Sequence, residues 1–299
     1  MNKYLLSICI PTFNRSEKLD IQLNFLEGEM LANTQVIVID NASTDDTEVI
    51  LEKHKQKMKE YEYYINKENI GADGSIRKLL NLASGEYVLF LGDDLFQKGA
   101  LNQIIGYIEK YKPSLVHINN SSICDNSINY YEEVTKDYVS KLIQNELSSF
   151  MFMSGNIYKR DCINKINQVV ELKYSTTLLY SMCCLEYGNL LYIDMPYIIQ
   201  DNDNVTWGRH RYEVWFESIP KIFDHFQEYS YTRKQINIMK NKNYGFFLFC
   251  CTRKMFSTIV YLIKTRMFCK IINISSIFYY FEFLVKRIFS KNKSVWRKK

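Results

Sequence analysis

Proline and glycine are scarce, with 4 Pro and 11 Gly in 299 residues. So little of either argues against collagen-like, low-complexity and many-turned all-β chains. The 8 Cys at 9, 124, 162, 183, 184, 250, 251 and 269 form no C-x-x-C and no other zinc spacing. Most sit in apolar runs such as SICIP, YSMCCLEY and FLFCCT, where cysteine acts as a small hydrophobe. A reduced, cytosolic protein is expected from that usage. No run approaches the ~18 uninterrupted apolar residues of a membrane-spanning helix. The opening MNKYLLSICIPTFNR breaks at Pro11, too early for a signal core, and carries no small-residue cleavage site.

What is present is an ordinary globular balance of 47% apolar and 24% charged residues, which excludes a long disordered chain. Aromatics are abundant at 15%, including 23 Tyr and 18 Phe. The length suits one large α/β domain with an appendage. Charge is unevenly placed. Residues 240–299 hold 14 Lys/Arg and one acid, Glu282, a net +13, whereas residues 1–239 hold 24 Lys/Arg and 32 acids, a net −8. A basic tail on an acidic body calls for an anionic partner, either nucleic acid or a phospholipid surface.

Apolar runs and helical spacing alternate over the first 120 residues. Strands are expected at 5–10, 35–40, 61–66, 86–91 and 114–119, and helices at 16–30, from Ser43 or Thr44 to about 59, at 74–83 and at 100–111. Strands without period-two alternation are buried on both faces, the mark of a parallel sheet between helices. Further on, a helix is expected at 137–146, a strand and turn at 148–159, a buried helix at 175–188, and a strand at 189–200 interrupted at Pro196. The chain beyond 212 reads as helical.

In such sheets ligands bind beyond the carboxyl ends of the strands. Three strands deliver polar groups there: Thr12 and Asn14, then Asp40 and Asn41, then Asp93 and Asp94. There is no G-x-G-x-x-G after the first strand and no G-x-x-x-x-G-K-[ST], so a phosphate ligand needs another anchor. Adjacent carboxylates at a buried strand end are costly unless neutralised, and Mg2+ or Mn2+ would do this while leaving sites for phosphate oxygens. The plainer alternative is two acids opening a surface turn. Asp40 could accept hydrogen bonds from a nucleotide or cap the next helix. Gly71 after Asn69 permits close approach of a ligand, or simply a turn.

The motifs LSICIPTFNR, VIVIDNASTDDT and NKENIGADGSIRKLLNLASGEYVLFLGDDLFQKGAL together resemble family 2 glycosyltransferases of the GT-A fold. The look is nearest to bacterial abequosyltransferase-type enzymes of surface-polysaccharide synthesis. The resemblance covers residues 4–120 well and 150–200 loosely. It implies an α/β fold, a Rossmann-like, mostly parallel sheet flanked by helices. It implies a nucleotide-binding role for Pro11, Thr12, Asn14 and Arg15, base recognition by Asp40, and ribose-side contacts at Asn69 and Gly71. Asp93 and Asp94 match the DXD-type motif that holds the metal on the diphosphate, but Leu91 or Gly92 stands where a first Asp is usual. The family's base is usually an Asp near the start of the helix at 175–188, and there this chain has Thr176 and Thr177. Glu171 is the first replacement, with Asp201 and Asp203 next.

The segment WGRHRYEVW (207–215) could close over a diphosphate through Arg209 or Arg211, or be a solvated linker. His117, inside a strand, is expected to be a satisfied core histidine. The expected domains are a glycosyltransferase domain at 1–225 and a helical, basic, aromatic-rich tail at 226–299 that associates with membrane. The implied activity is metal-assisted, inverting transfer of a sugar from a nucleotide-diphosphate sugar to a lipid-linked saccharide. An anionic membrane surface is the third partner. No nucleic acid is expected, since the tail has more aliphatic bulk than a nucleic-acid arm needs, and a homo-oligomer stays open. Such an enzyme would work in the cytoplasm, peripheral on the inner face of the cell membrane. The rivals are a nucleotide-sugar-binding or assembly protein that lacks the base, and a nucleotidyltransferase, whose Gly-rich first loop is missing from IPTFNRSEK.

Overall fold

The computed structural model describes residues 3–29, 31–119, 124–165, 172–201 and 210–296. In chain order the first elements are β1 (Tyr4–Thr12), α1 (Ser16–Glu29), β2 (Thr34–Asp40), α2 (Thr47–Lys55), β3 (Tyr61–Ile65), α3 (Gly71–Leu82), β4 (Gly85–Phe90), β5 (Leu95–Phe96), α4 (Ala100–Tyr111) and β6 (Leu115–Ile118). There follow β7 (Ser127–Tyr131), α5 (Lys136–Met151), β8 (Asn156–Lys159), α6 (Arg160–Asn164), α7 (Thr176–Tyr187), β9 (Leu190–Asp194) and β10 (Ile198–Ile199). The last part is helical: α8 (Arg211–Glu213), a π-helical turn at Val214–Ser218, α9 (Ile219–Phe226), α10 (Arg233–Cys250), α11 (Met255–Lys264), α12 (Phe268–Ile271) and α13 (Ile274–Trp296).

Eight strands form one sheet in the order β3-β2-β1-β4-β8-β6-β9-β7, and β10 pairs with β5 apart from it. The first four are mutually parallel, as βαβ crossovers require. β8 then runs antiparallel between β4 and β6, and β7 antiparallel beside β9. The sheet is therefore more mixed than the first 120 residues imply. Leu6 and Ile8 of β1, Val36 and Val38 of β2, and Tyr87 and Leu89 of β4 are buried in one cluster with Leu19, Leu23 and Leu26 of α1. A continuous apolar strand buried on both sides is what these runs encode.

Several segments depart from the sequence pattern. The expected end of the helix near 146 survives as a break: Glu146 has φ −125° and ψ 25°, after which helix resumes to Met151. The expected strand at 148–159 is correspondingly shorter, with a turn at Met153–Gly155 before β8. The helix after β2 begins at Thr47, later than Ser43 or Thr44, because Asp45 Oδ1 accepts from Thr47 N at 3.2 Å and holds its first turn.

Two compact units divide the chain. The first comprises Met1–Thr135, Ser148–Val169 and Tyr174–Val205, and holds the sheet. The second comprises Lys136–Leu147, Val170–Lys173 and Thr206–Lys299. α9 runs across the boundary drawn at 225 from the sequence and lies wholly in the second unit. In this unit an aromatic cluster forms the interior: Trp215 stacks on Phe247 at 5.3 Å, and Phe216 meets Phe247 edge-on at 5.1 Å. Thr232 and Gln235 make a reciprocal capping box at the start of α10. Among the described residues, no helix is long and apolar enough to cross a membrane.

His117 is fully buried in β6, with Nδ1 2.7 Å from Asn156 Oδ1, Nε2 3.1 Å from Ser149 Oγ, and its ring stacked on Phe150. Burial disfavours its cation and lowers its pKa from 6.5 to about 4. The unfolded chain thus binds more protons between those values, so stability present above pH 6.5 is lost as the pH falls towards 4. The loss from this group should approach about 3 kcal/mol. Urea melts at pH 7 and pH 4 are expected to show a smaller difference for His117→Gln than for the unaltered chain.

Candidate functional site

The parallel strands β3, β2, β1 and β4 end on the same edge of the sheet, so their following loops lie side by side. Register makes this specific: Thr12, the last residue of β1, is paired with Asp40, the last of β2, and Asp40 with Ile65 of β3. Asn14 adopts φ +51°, a left-handed conformation that asparagine tolerates better than most residues. That bend brings its N–H to Ser43 Oγ at 2.8 Å, while its Oδ1 accepts from Thr44 N at 2.8 Å. The first two loops are therefore joined. Pro11 is half-buried within β1, and the Thr12 hydroxyl is buried without a hydrogen-bond partner among the described residues.

Asp40 is buried, and its Oδ1 accepts from Ser43 N at 3.0 Å and Ser43 Oγ at 2.5 Å. It does not cap α2, whose first residue Thr47 is served by Asp45. Beside it, Asn41 donates to Asn69 Oδ1 at 2.8 Å and accepts from Asn66 Nδ2 and Ile70 N, both at 3.0 Å. Asn69 Oδ1 also accepts from Gly71 N at 2.9 Å. Gly71 has φ +76°, which a side chain would strain, and it starts α3 three residues earlier than the sequence pattern indicates.

The Gly-Asp-Asp turn treats its two acids differently. Asp94 is buried, with Oδ2 accepting from Ser154 Oγ at 2.6 Å and Oδ1 from Asp201 N at 3.0 Å. Burial, the strongest influence, raises its pKa, and these two donors work against that rise. Gln22 of α1 donates to Asp94 O at 3.0 Å and also to Gly92 O, and Gly92 N donates to Ser154 Oγ at 3.0 Å. Asp93 instead faces outward with its side chain 38% exposed, and Arg15 Nε donates to its Oδ2 at 3.2 Å. The first and fourth loops are thus linked by an exposed pair worth little to stability. Among the described residues, no group of three or more His, Cys, Asp and Glu is set to hold a metal ion.

Of the sequence-derived base candidates, Glu171 and Asp203 lie outside the described residues, as do Trp207, Gly208 and Arg209. Asp201 follows β10, pairs with Lys18 of α1, and sits beside Asp94. His210, in the second unit, bonds Glu213 Oε2 at 2.7 Å. The structure adds Asp73, which the sequence reading passed over. From the first turn of α3 its Oδ2 accepts from Tyr174 N at 2.5 Å, and its Oδ1 accepts from Thr176 Oγ1 at 2.6 Å. It thereby fixes the start of α7, where Thr176 and Thr177 stand. A separation of about a hundred residues left no local signal of this contact.

This geometry defines a class: an α/β domain whose adjoining loop ends carry an outward carboxylate, a buried acid and an asparagine network side by side. The chain belongs to the family described as Glycosyl transferase family 2, which it matches over residues 7–166. It is 28% identical over 130 residues to the GalNAc(5)-diNAcBac-PP-undecaprenol beta-1,3-glucosyltransferase of Campylobacter jejuni, spanning 43% of this chain and 41% of that protein. It is 30% identical over 128 residues to abequosyltransferase RfbV of Salmonella typhimurium, spanning 40% of this chain and 38% of that one. Each of these matches therefore takes in less than half of the relative's length. The fold is similar to that of S. aureus TarS 1-349 in complex with UDP-GlcNAc, with a TM-score of 0.61 and 19% identity over 82% of this chain and 72% of that one.

If Asp94 is the structural member of the pair, replacing it should be felt in the fold. Asp94→Ala is expected to cost about 1–3 kcal/mol, because Ser154, Asp201 N and the turn lose their shared acceptor. Asp93→Ala should change stability by less than about 1 kcal/mol. Denaturant titration of the two variants checks this, and equal losses would contradict it.

Proposed function

We propose that the chain is a glycosyltransferase that moves a sugar from a nucleotide-diphosphate sugar to a lipid-linked saccharide in surface-polysaccharide synthesis. The observation that carries this reading is the convergence of Thr12, Asp40, Asn69 and Asp93 on one edge of the parallel strands. Family membership and the names of the relatives, one of them an undecaprenol-linked saccharide transferase, support donor and acceptor class. The first compact unit would carry the transfer, and the second the attachment to the inner face of the membrane.

In this reading Asp40 accepts hydrogen bonds from the base. Asn69 and Gly71 line the ribose side, and Pro11, Thr12, Asn14 and Arg15 border the nucleotide. The Thr12 hydroxyl, buried and without a partner among the described residues, is available to the ligand. Asp93 is the ligand for Mg2+ or Mn2+. Asp94, the other acid of the expected metal pair, already has a donor on each oxygen, so Asp93 and diphosphate oxygens would supply the first contacts. A bound divalent ion would stabilise the charge that develops on the departing diphosphate. Asp94 holds the turn at the height that presents Asp93. Inverting displacement needs a base on the opposite face of the sugar to take the acceptor's hydroxyl proton. Glu171 is assigned that role, followed by Asp203. Asp201 ranks last because Lys18 holds it beside the Gly-Asp-Asp turn.

The second reading, a nucleotide-sugar-binding or assembly protein of the same fold, is favoured by Thr176 and Thr177 at the usual acidic position. Release of nucleoside diphosphate from UDP- and GDP-linked sugars, with Mn2+ or with chelator, separates the two. Turnover that requires the metal and falls on Asp93→Asn supports the enzyme. Donor binding without any turnover, with or without acceptor, supports the binder.

Two further outcomes are expected. Asp40→Ala should weaken nucleotide binding by about 1–3 kcal/mol in a calorimetric titration. Glu171→Gln should slow transfer by roughly 10²–10⁴-fold while leaving donor affinity unchanged. A silent Glu171→Gln beside an inactive Asp203→Asn would move the base to Asp203.

A further inference from the structure

α13 has two apolar faces, and its packing uses one of them. The inner face is pressed onto α10 within the second unit. A Cβ added to Gly245 of α10 would lie 2.6 Å from Tyr279 Cβ and 2.7 Å from Ser276 O, so only glycine allows this approach. Phe246 meets Phe283 edge-on at 5.2 Å, and Ser276 is fully buried. These inner positions, 276, 279, 280 and 283, follow the helical repeat.

The opposite face follows the same repeat and, among the described residues, has no such cover. Ile274, Ile277, Phe278, Phe281 and Val285 recur at helical spacing and are 89%, 40%, 64%, 54% and 48% exposed. An aligned, exposed apolar stripe of this kind marks an interaction surface, whereas scattered single residues do not. On α11, Phe256 and Ile263 are exposed as well. Lys264 at the end of α11, and Arg266 and Lys270 before α13, are exposed. The sequence past Val285 holds seven Lys/Arg and no acid.

We propose that the outward stripe of α13 is the face that docks on an anionic lipid bilayer. It rests on the reading of the chain as working at a membrane, and it names the face. Charge decides the occupant. Residues 240–299 carry a net +13, so a second copy seated on the stripe would bring two strongly positive segments together. A bilayer with anionic headgroups matches that charge and accepts the apolar side chains below the headgroups. An amphipathic helix with these properties lies in the interface plane, held by both contributions.

The test is flotation of the full chain with vesicles of phosphatidylcholine alone or mixed with phosphatidylglycerol, at low salt. The unaltered chain should float with the mixed vesicles and poorly with phosphatidylcholine. Phe278→Ser with Phe281→Ser should lower the bound fraction by at least about tenfold, because two exposed anchors are lost. Its melting temperature should be unchanged, since neither ring is buried. Undiminished flotation of the double variant overturns the stripe while the membrane reading stands. Failure of the unaltered chain to float overturns both. A chain that elutes as a dimer on gel filtration, and as a monomer once the two rings are removed, assigns the stripe to a second copy and overturns the lipid assignment.

Discussion

Parallel pairing of β1 with β2 on one side and β4 on the other is the constraint on which the polar edge depends. It sends the chain ends of four strands in one direction, so residues at 12–15, 40–43, 69–71 and 92–94 become neighbours. The continuous apolar runs of those strands make this pairing favourable, since both faces must be covered by helices. The polar residues then fall where the apolar runs stop. Cross-loop bonds refine the placement: Asn14 to Ser43 and Thr44, Asn41 to Asn69, and Arg15 to Asp93. Each of these ties one loop to its neighbour, so the edge is a connected frame.

Adjacent carboxylates repel and are costly to bury, and the Gly-Asp-Asp turn separates the two demands. Asp94 turns inward, where Ser154 and the Asp201 amide supply donors from two distant segments. Asp93 turns outward, where it makes the exposed pair with Arg15. One acid thus builds the turn, and the other stands at the surface with its side chain 38% exposed. Gln22, deep in α1, holds the turn's carbonyls from below. The four parallel strands and α1 therefore do more for the site than supply a core.

Much of this was legible in the sequence, because local signals generate it. The strand runs, the helix at Ala100–Tyr111 and the polar residues at three strand ends all follow from periodicity and punctuation. Asp40 could be read as base contact or cap, and only the geometry removes the cap, since Asp45 serves Thr47. What could not be read depends on contacts between distant segments. β8 enters antiparallel between β4 and β6 after a long excursion. Asp73 reaches Tyr174 and Thr176 across the fold, and Ser154 reaches Asp94. No local periodicity encodes such pairings. The opposed faces of α13 were hidden too, because an aromatic-rich helix reads the same whether its rings are covered or exposed.

The central claim is that a nucleotide diphosphate lies across the ends of β1, β2, β3 and β4. Hydrogen–deuterium exchange of the full chain, with and without UDP or GDP plus Mn2+, tests it most directly. The account predicts that added protection concentrates in peptides covering 12–15, 40–43, 69–71 and 92–94. Protection confined to other segments, with these four unchanged while the nucleotide is bound, would contradict it.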